Sequence, residues 1–250
     1  LAGGSGDLGY TLSKQRVAQG DVPVRVDMRP PDDDNGIYIS GSILDRDTLA
    51  HAMESVDCVV HIAAWHGVHE FRREKDVYDF WNLNVTGTFY VFEAAAQAGI
   101  KRVVYISSTS IDEPNGVYGH TKVLGEEIAR TYAARHDMNV ITLRPRAFIP
   151  YWNKVIYNSF VEWAQWFWGG AVHINDVTQA VMQSIHLLAA KPPDEHLTLT
   201  LDGAYDYTDA DLANWDADGG GSTFRRYYAD YVDLVTQHGL KPEQKPKKLD

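Results

Sequence analysis

Tyr118 and Lys122 stand four residues apart in Tyr118-Gly119-His120-Thr121-Lys122, at the start of an expected helix, where that spacing puts both side chains on one face. An ammonium beside a phenol stabilises the phenolate and lowers its pKa, which would make Tyr118 a general base or acid near neutral pH. Ser108, upstream, offers a hydroxyl to hold a reacting oxygen as its charge develops. A tyrosine and a lysine at this spacing also describe an ordinary amphipathic helix, so a second signal is needed. Gly3, Gly6 and Gly9 supply it in the loop Gly3-Gly4-Ser5-Gly6-Asp7-Leu8-Gly9. Glycines there let the backbone approach a pyrophosphate, and free N–H groups at a helix start attract its charge. Gly3, Ser5, Gly6, Asp7, Leu8 and Gly9 are therefore candidate dinucleotide-binding residues, although a flexible turn has the same composition. Asp27 agrees with the binding reading, because it closes the second strand, where a carboxylate accepts hydrogen bonds from adenosine ribose hydroxyls. It would repel a 2′-phosphate and so favours NAD over NADP, whereas Arg29, two residues on, has the chemistry to hold such a phosphate.

These side chains need a scaffold, and apolar alternation marks strands at 22–27, 37–40, 57–63, 102–107 and 139–143. Helical patterns at 10–19, 45–55, 79–97 and 118–135 lie between or after them. Strand and helix alternating at this spacing imply right-handed crossovers and a parallel sheet covered on both faces, an α/β doubly wound Rossmann fold. After Leu143 the regularity breaks: 144–170 is rich in aromatics and 203–222 in Asp and Gly, and 243–250 is a polar tail. The expected organisation is a dinucleotide-binding domain over 1–145 and a small substrate lobe over 146–250, with part of 172–202 packing back on the first domain. Leu1-Ala2 run straight into the glycine loop, leaving no room for the strand that such a loop follows, so residues ahead of Leu1, and segments within the chain, are expected to be missing from it.

The bulk properties narrow the partners. With 44% hydrophobic and 23% charged residues the chain suits one sizeable core plus a lobe. A net charge of −11 argues against nucleic acid, whose phosphates demand clustered Lys and Arg. The lone Cys58 can form no internal disulfide, which suits a reducing cytoplasm. No apolar stretch approaches bilayer length, and no leader pattern precedes the first glycine, so neither membrane insertion nor export is expected.

Several ordered segments resemble the extended short-chain dehydrogenase/reductases, also described as the NAD-dependent epimerase/dehydratase family. The glycine loop is followed by Asp57-Cys58-Val59-Val60-His61-Ile62-Ala63-Ala64, similar to the family's fourth strand, and by Asn84-Val85-Thr86-Gly87-Thr88, similar to the motif on its next helix. Arg102-Val103-Val104-Tyr105-Ile106-Ser107-Ser108 matches the fifth strand with its catalytic serine, Tyr118 to Lys122 matches Tyr-x-x-x-Lys, and His173-Ile174-Asn175-Asp176-Val177 resembles a later motif. The resemblance implies NAD as cofactor and Ser108, Tyr118 and Lys122 as the catalytic set, with Tyr118 and Lys122 also touching the cofactor and Lys122 holding the nicotinamide ribose. It places Ala63, Ala64, Asn84 and Ser107 near the dinucleotide and Gly41-Ser42-Ile43 by the adenine, although Ser42 stands where the family usually has Asp. Ser108 is preferred to Thr109 because Ile111 then fits the family's following Val. Trp65, Thr109 and Arg146 are expected on the substrate side, and the family habit of pairing long helices implies a homodimer.

Other features carry less. His61, His66 and His69 match no common zinc spacing, and no metal is expected. Trp163, Trp166 and Trp168, with Phe160 and Phe167, either floor a sugar pocket or pack the lobe onto the large domain. Arg144 and Arg146 flank Pro145 beyond a strand end, where one would neutralise a substrate anion or simply form a surface ion pair. Three functions remain: a dehydrogenase or reductase acting on a carbohydrate-like alcohol or carbonyl, a nucleotide-sugar epimerase, and a dinucleotide sensor without catalysis. The intact Ser108, Tyr118 and Lys122 weigh against the sensor. A 4,6-dehydratase is disfavoured because Thr109-Ser110 follow Ser108 where that branch has Asp-Glu after its catalytic Thr. The short stretch after Leu143 favours a small sugar or sugar acid over a nucleotide-sugar, near the uronate dehydrogenases of the same family.

Overall fold

The computed structural model describes residues 1–113, 115–154, 156–190, 196–203 and 206–244, so the end of the polar tail lies outside it. The chain opens with helix α1 (Asp7–Ala18), strands β1 (Val24–Asp27) and β2 (Ile37–Ser40), helix α2 (Arg46–Ala52) and strand β3 (Cys58–His61). Helices α3 (Gly67–Phe71) and α4 (Val77–Phe80) lead through a π-helical segment, Trp81–Thr86, into α5 (Gly87–Gln97). Strand β4 (Arg102–Ile106), a 3-10 turn at Thr109–Asp112, helix α6 (Val117–His136) and strand β5 (Asn139–Pro145) follow. Helices α7 (Phe160–Trp168) and α8 (Ile174–Ala190), strand β6 (Leu197–Leu201) and the short helices α9 (Asp209–Ala213), α10 (Trp215–Asp218), α11 (Gly221–Tyr228) and α12 (Val232–Gln237) complete it.

The sheet is organised around two residues. Ala2 bridges in parallel to Val26 on one side and His61 on the other, joining the β1–β2 pair to the run β3-β4-β5-β6. Leu1 and Ala2 thus fill the strand position before the glycine loop, which the sequence seemed to leave no room for. The strand order is β2-β1-(Leu1, Ala2)-β3-β4-β5-β6, with β1–β2, β3–β4 and β4–β5 parallel. The order reverses direction at Leu1–Ala2, and open α/β sheets bind their ligands in the crevice beyond the carboxyl ends of strands at such a point. Central strands are buried on both faces, with Val103, Val104, Val140, Ile141 and Leu143 at 1% exposure or less; the continuous apolar runs of β4 and β5 follow from that.

Helix α1 starts three residues before its expected position, because the glycine loop itself forms its first turn. The expected helix 79–97 is a composite of α4, the π-segment and α5. Strand β6 was not anticipated, although Leu197-Thr-Leu-Thr-Leu201 alternates with period two. Two compact units are present. One is Leu1–Pro145 with Val177–Leu199, and the other is Arg146–Asp176 with Thr200–Asp250. In the second unit the tryptophans are tied into its own interior: Trp163 Nε1 donates to the Ile149 carbonyl (2.8 Å) and stacks on Phe167, and Trp168 Nε1 donates to the Lys241 carbonyl (2.7 Å) and meets Phe224 edge-on. No helix among the described residues is long and apolar enough to cross a membrane.

Candidate active site

At the switch point a cavity of about 200 Å³ is lined by Gly3, Gly6, Asp27, Ser42, Ala63 and Leu83, with Arg29, Ile43, Ala64 and Trp65 also on its wall. Gly3 has φ +87°, and a Cβ there would sit 2.6 Å from the Ala63 nitrogen, so no other residue fits the turn. A Cβ on Gly9 would fall 2.6 Å from the Gly4 carbonyl, which is how α1 packs close against the loop. Leu8 is in the core, 2% exposed, so only its backbone can face a ligand; Asp7 opens the first turn. Two observations show that the cradle suits a pyrophosphate. No side chain caps α1 at Gly6, and the buried Ser5 Oγ has no hydrogen-bond partner.

The Asp27 carboxylate accepts from the backbone N–H of Ser5 (3.0 Å) and of Arg29 (3.1 Å), which fixes it at the cavity rim. The Arg29 guanidinium is bound to the Ser5 carbonyl at 2.9 Å. Ser42 Oγ accepts from Leu44 N (3.1 Å), and Ile43 packs so tightly on Gly87 that a Cβ there would lie 2.5 Å from Ile43 Cδ1.

Behind the far wall, Asn84 is 1% exposed in the π-segment. Its Oδ1 accepts from Trp65 N (2.8 Å), and its Nδ2 donates to Trp65 O and to Thr121 Oγ1, each at 3.0 Å. Asn84, expected near the dinucleotide, spends both amide donors on pinning the loop after β3 to α6. Trp65, expected against substrate, carries the Lys75 ammonium 4.2 Å above its ring and His69 against its edge. Thr88 Oγ1 donates to the Asn84 carbonyl (2.6 Å), so His61 Nε2, 2.8 Å from the same oxygen, must carry the proton. Burial, with the Lys122 charge nearby, pushes His61 down to about 3. Among the described residues no group of His, Cys, Asp or Glu is arranged to hold a metal ion.

Tyr118 and Lys122 face the end of β4. Lys122 is 3% exposed and its Nζ donates to the Ile106 carbonyl (2.8 Å), 5.8 Å from the Tyr118 ring centre. The buried Ser108 hydroxyl accepts from Ser110 N at 3.1 Å and lies near enough to the Tyr118 phenol to oppose the rise in its pKa. Thr109 sits half-buried in the 3-10 turn, and Ser107, expected near the cofactor, donates its hydroxyl proton to Glu126 (2.5 Å). The expectation that Lys122 lowers the phenol pKa is not met in the protein alone. Burial pushes Tyr118 up to about 12, against the Ser108 hydrogen bond, and burial pushes Lys122 down to about 7 despite Glu126. Desolvation of both groups outweighs their attraction at this separation.

The two arginines proposed for a substrate anion are both engaged. Arg144 grips Glu126 through Nε (2.8 Å) and Nη2 (2.5 Å), and Arg146 Nε meets the buried Asp202 carboxylate at 2.8 Å. A carboxylate 2% exposed requires a paired cation, so Arg146 is part of the second unit's framework. Sequence reasoning missed Glu70, Thr88, Thr121 and Glu126. Thr121, inside Tyr-x-x-x-Lys, and Thr88, closing Asn84-Val85-Thr86-Gly87-Thr88, stood in motifs; Glu70 and Glu126 had no local signal.

A glycine-loop cavity at a topological switch point beside a Ser, Tyr and Lys set defines a dinucleotide-binding protein of the Rossmann class. Residues 1–154 match the NAD dependent epimerase/dehydratase family, and the chain belongs to it. NAD, on which that family depends, is its cofactor. The chain is 26% identical over 168 residues to a uronate dehydrogenase of Pseudomonas putida, a match covering 60% of this chain and 60% of that protein. It is 29% identical over 136 residues to an L-arabinose 1-dehydrogenase (NAD(P)(+)) of Haloferax volcanii, covering 41% of this chain and 49% of that protein. The chain therefore spans about half the length of the curated relatives it matches. In fold it is similar to the UDP-glucose 4-epimerase from Brucella ovis in complex with NAD, with a TM-score of 0.68 at 19% identity over 80% of this chain and 75% of the other.

Proposed function

We propose that this protein is an NAD-dependent oxidoreductase that interconverts an alcohol and a carbonyl on a small sugar or sugar acid. The observation that carries the reading is the convergence of Ser108, Tyr118 and Lys122 at the end of β4, with the buried Lys122 Nζ on the Ile106 carbonyl at 2.8 Å and 5.8 Å from the Tyr118 ring centre, and the Ser108 hydroxyl near the phenol. The glycine loop would hold the pyrophosphate of NAD, Asp27 the adenosine ribose, and Ser42, Ile43, Ala63 and Ala64 the flanking surfaces. When bound, oxidised NAD supplies the hydride acceptor and a cationic ring. Tyr118 exchanges a proton with the reacting hydroxyl, and Ser108 fixes that oxygen by hydrogen bonding as charge develops. Because burial holds the phenol near 12, the site must gain positive charge before Tyr118 works as a base at neutral pH. Lys122, at about 7, is poised to take up a proton and contribute part of that charge.

The resemblance to a uronate dehydrogenase and an arabinose dehydrogenase supports a monosaccharide-sized substrate. The test is a panel of aldoses and uronic acids scored for NAD reduction, run beside a UDP-sugar epimerisation assay and repeated with Tyr118→Phe. NAD reduction by a free sugar or sugar acid, lost in the variant, is the expected result. Activity confined to UDP-sugars refutes the small-substrate reading, and wild-type turnover by Tyr118→Phe removes Tyr118 as the acid–base group.

A further inference from the structure

The helix that carries Tyr118 and Lys122 begins without a cap of its own. Gly116 occupies the N-cap of α6 and has no side chain to accept from the first-turn amides. Those amides are nevertheless satisfied. Glu70 Oε1 accepts from Val117 N at 2.7 Å, and Glu70 Oε2 accepts from Tyr118 N at 2.8 Å. The carboxylate comes from α3, far away in sequence, and grips the backbone of the tyrosine itself.

Three further observations tie this contact to the site. A carboxylate at a helix N-terminus complements the helix dipole, so the clamp is favoured by charge as well as by two hydrogen bonds. On the same short segment, Gly67 lies against the Tyr118 ring, where a Cβ would meet Cδ1 at 3.3 Å, and the His66 ring centre is 6.5 Å from that of Tyr118. The segment is also continuous with the cavity wall, because Ala63, Ala64, Trp65 and His66 line the cavity and Asn84 pins Trp65 from behind.

We infer that Glu70 is a positioning residue for the reaction, a bidentate clamp that sets the start of α6 and thereby the placement of the Tyr118 phenol relative to the dinucleotide cavity. The inference rests on the proposed acid–base role of Tyr118. Glu70 touches no reacting atom. Its effect runs through the backbone of Tyr118, and an error of about 1 Å in the position of a reacting group costs on the order of a hundredfold in rate.

The experiment uses the full chain with D-glucuronate as first probe, or whichever sugar of the panel reduces NAD fastest. It compares Glu70→Ala, Glu70→Gln and Tyr118→Phe for kcat, KM, NADH affinity by fluorescence and thermal midpoint. Glu70→Ala is expected to lower kcat by roughly tenfold to a hundredfold, with KM and NADH affinity within about twofold. Glu70→Gln keeps one acceptor oxygen and should fall between Glu70→Ala and wild type. Wild-type kcat in a folded Glu70→Ala protein, with Tyr118→Phe inactive, overturns the inference and leaves the acid–base reading standing. A parallel fall in kcat, NADH affinity and thermal midpoint also overturns it, since that marks a merely structural role. Should Glu70→Ala fail to fold, Glu70→Gln is judged by the same criteria. Failure of Tyr118→Phe to lose activity, or no turnover anywhere in the panel, removes the acid–base reading and this inference with it.

Discussion

Removing the Asn84 side chain should loosen the loop after β3 and weaken NADH binding together. In Asn84→Ala, Trp65 loses the partners of both its N–H and its C=O, while Thr121 Oγ1 loses one donor but keeps its own bond to the Tyr118 carbonyl at 2.8 Å. Trp65 is half-buried, so water can reach the orphaned groups in part, and each costs about 1 kcal/mol, near the low end for buried polar groups. With the small void left behind, the total is about 2–3 kcal/mol, a large fraction of the roughly 5–15 kcal/mol that holds a domain folded. Asn84→Asp is a sharper test. Thr121 has already given its hydroxyl proton to Tyr118, so Asn84 Nδ2 faces two acceptors, and a carboxylate oxygen placed there would repel both. Asn84→Asp should therefore destabilise at least as much as Asn84→Ala despite its nearly identical shape. Urea unfolding followed by tryptophan fluorescence gives the stability change. An NADH titration should show affinity reduced by about tenfold, equivalent to about 1.4 kcal/mol. Both variants within about 0.5 kcal/mol of wild type, with NADH affinity unchanged, would show that the loop is held by something other than Asn84.

Three other outcomes are expected. NADH should bind more tightly than NADPH because the Asp27 carboxylate is fixed at the rim by Ser5 and Arg29 amides; a reversed preference in paired titrations would transfer the decision to the Arg29 guanidinium. His61 is held at about 3, below the unfolded value of 6.5, so between those pH values the unfolded chain binds a proton that the native one does not, and stability rises with pH across that window. His61→Gln should flatten the stability profile there by up to about 1.4 kcal/mol per pH unit, and equal slopes in wild type and variant would contradict the buried neutral imidazole. Gly119→Ala should lower both stability and turnover, because its Cβ would overlap the Ser110 carbonyl oxygen and must push the start of α6 off the Ser108 turn; an unaltered melting curve would refute the packing argument.

What the sequence made legible is what depends on neighbours along the chain. The glycine loop, the strand-end Asp27 and the pair Tyr118 and Lys122 are local patterns, and the structure places Lys122 Nζ 5.8 Å from the Tyr118 ring centre on the helix they share. The supporting residues are contacts between distant segments: Glu70 to Tyr118, Asn84 to Trp65, His61 to Thr88. Nothing in a single sequence pairs them. The misreadings have the same origin. The Tyr118 pKa was argued from its neighbour's charge when burial, a property of the whole fold, decides it, and whether Arg146 meets a substrate anion or an ion-pair partner stayed open because Asp202 stands far along the chain. Strand β6 is a different case, since its alternation was in plain view and needed only to be counted.

The π-helical turn at Trp81–Thr86 has a consequence for how this chain can vary in length. A π-turn holds one residue more than the α-helix it interrupts, so a single deletion there would restore a regular helix and improve its local geometry. The same deletion would rotate everything before it by about 100° relative to the face that α5 buries. Phe80, 1% exposed, and Asn84, bonded to Trp65, could not then both keep their buried places. Loops elsewhere can gain or lose residues at little cost, but this segment, though helical on both sides, is locked at its present count, and an alignment that closes a gap inside it would be misplacing the wall of the cofactor cavity.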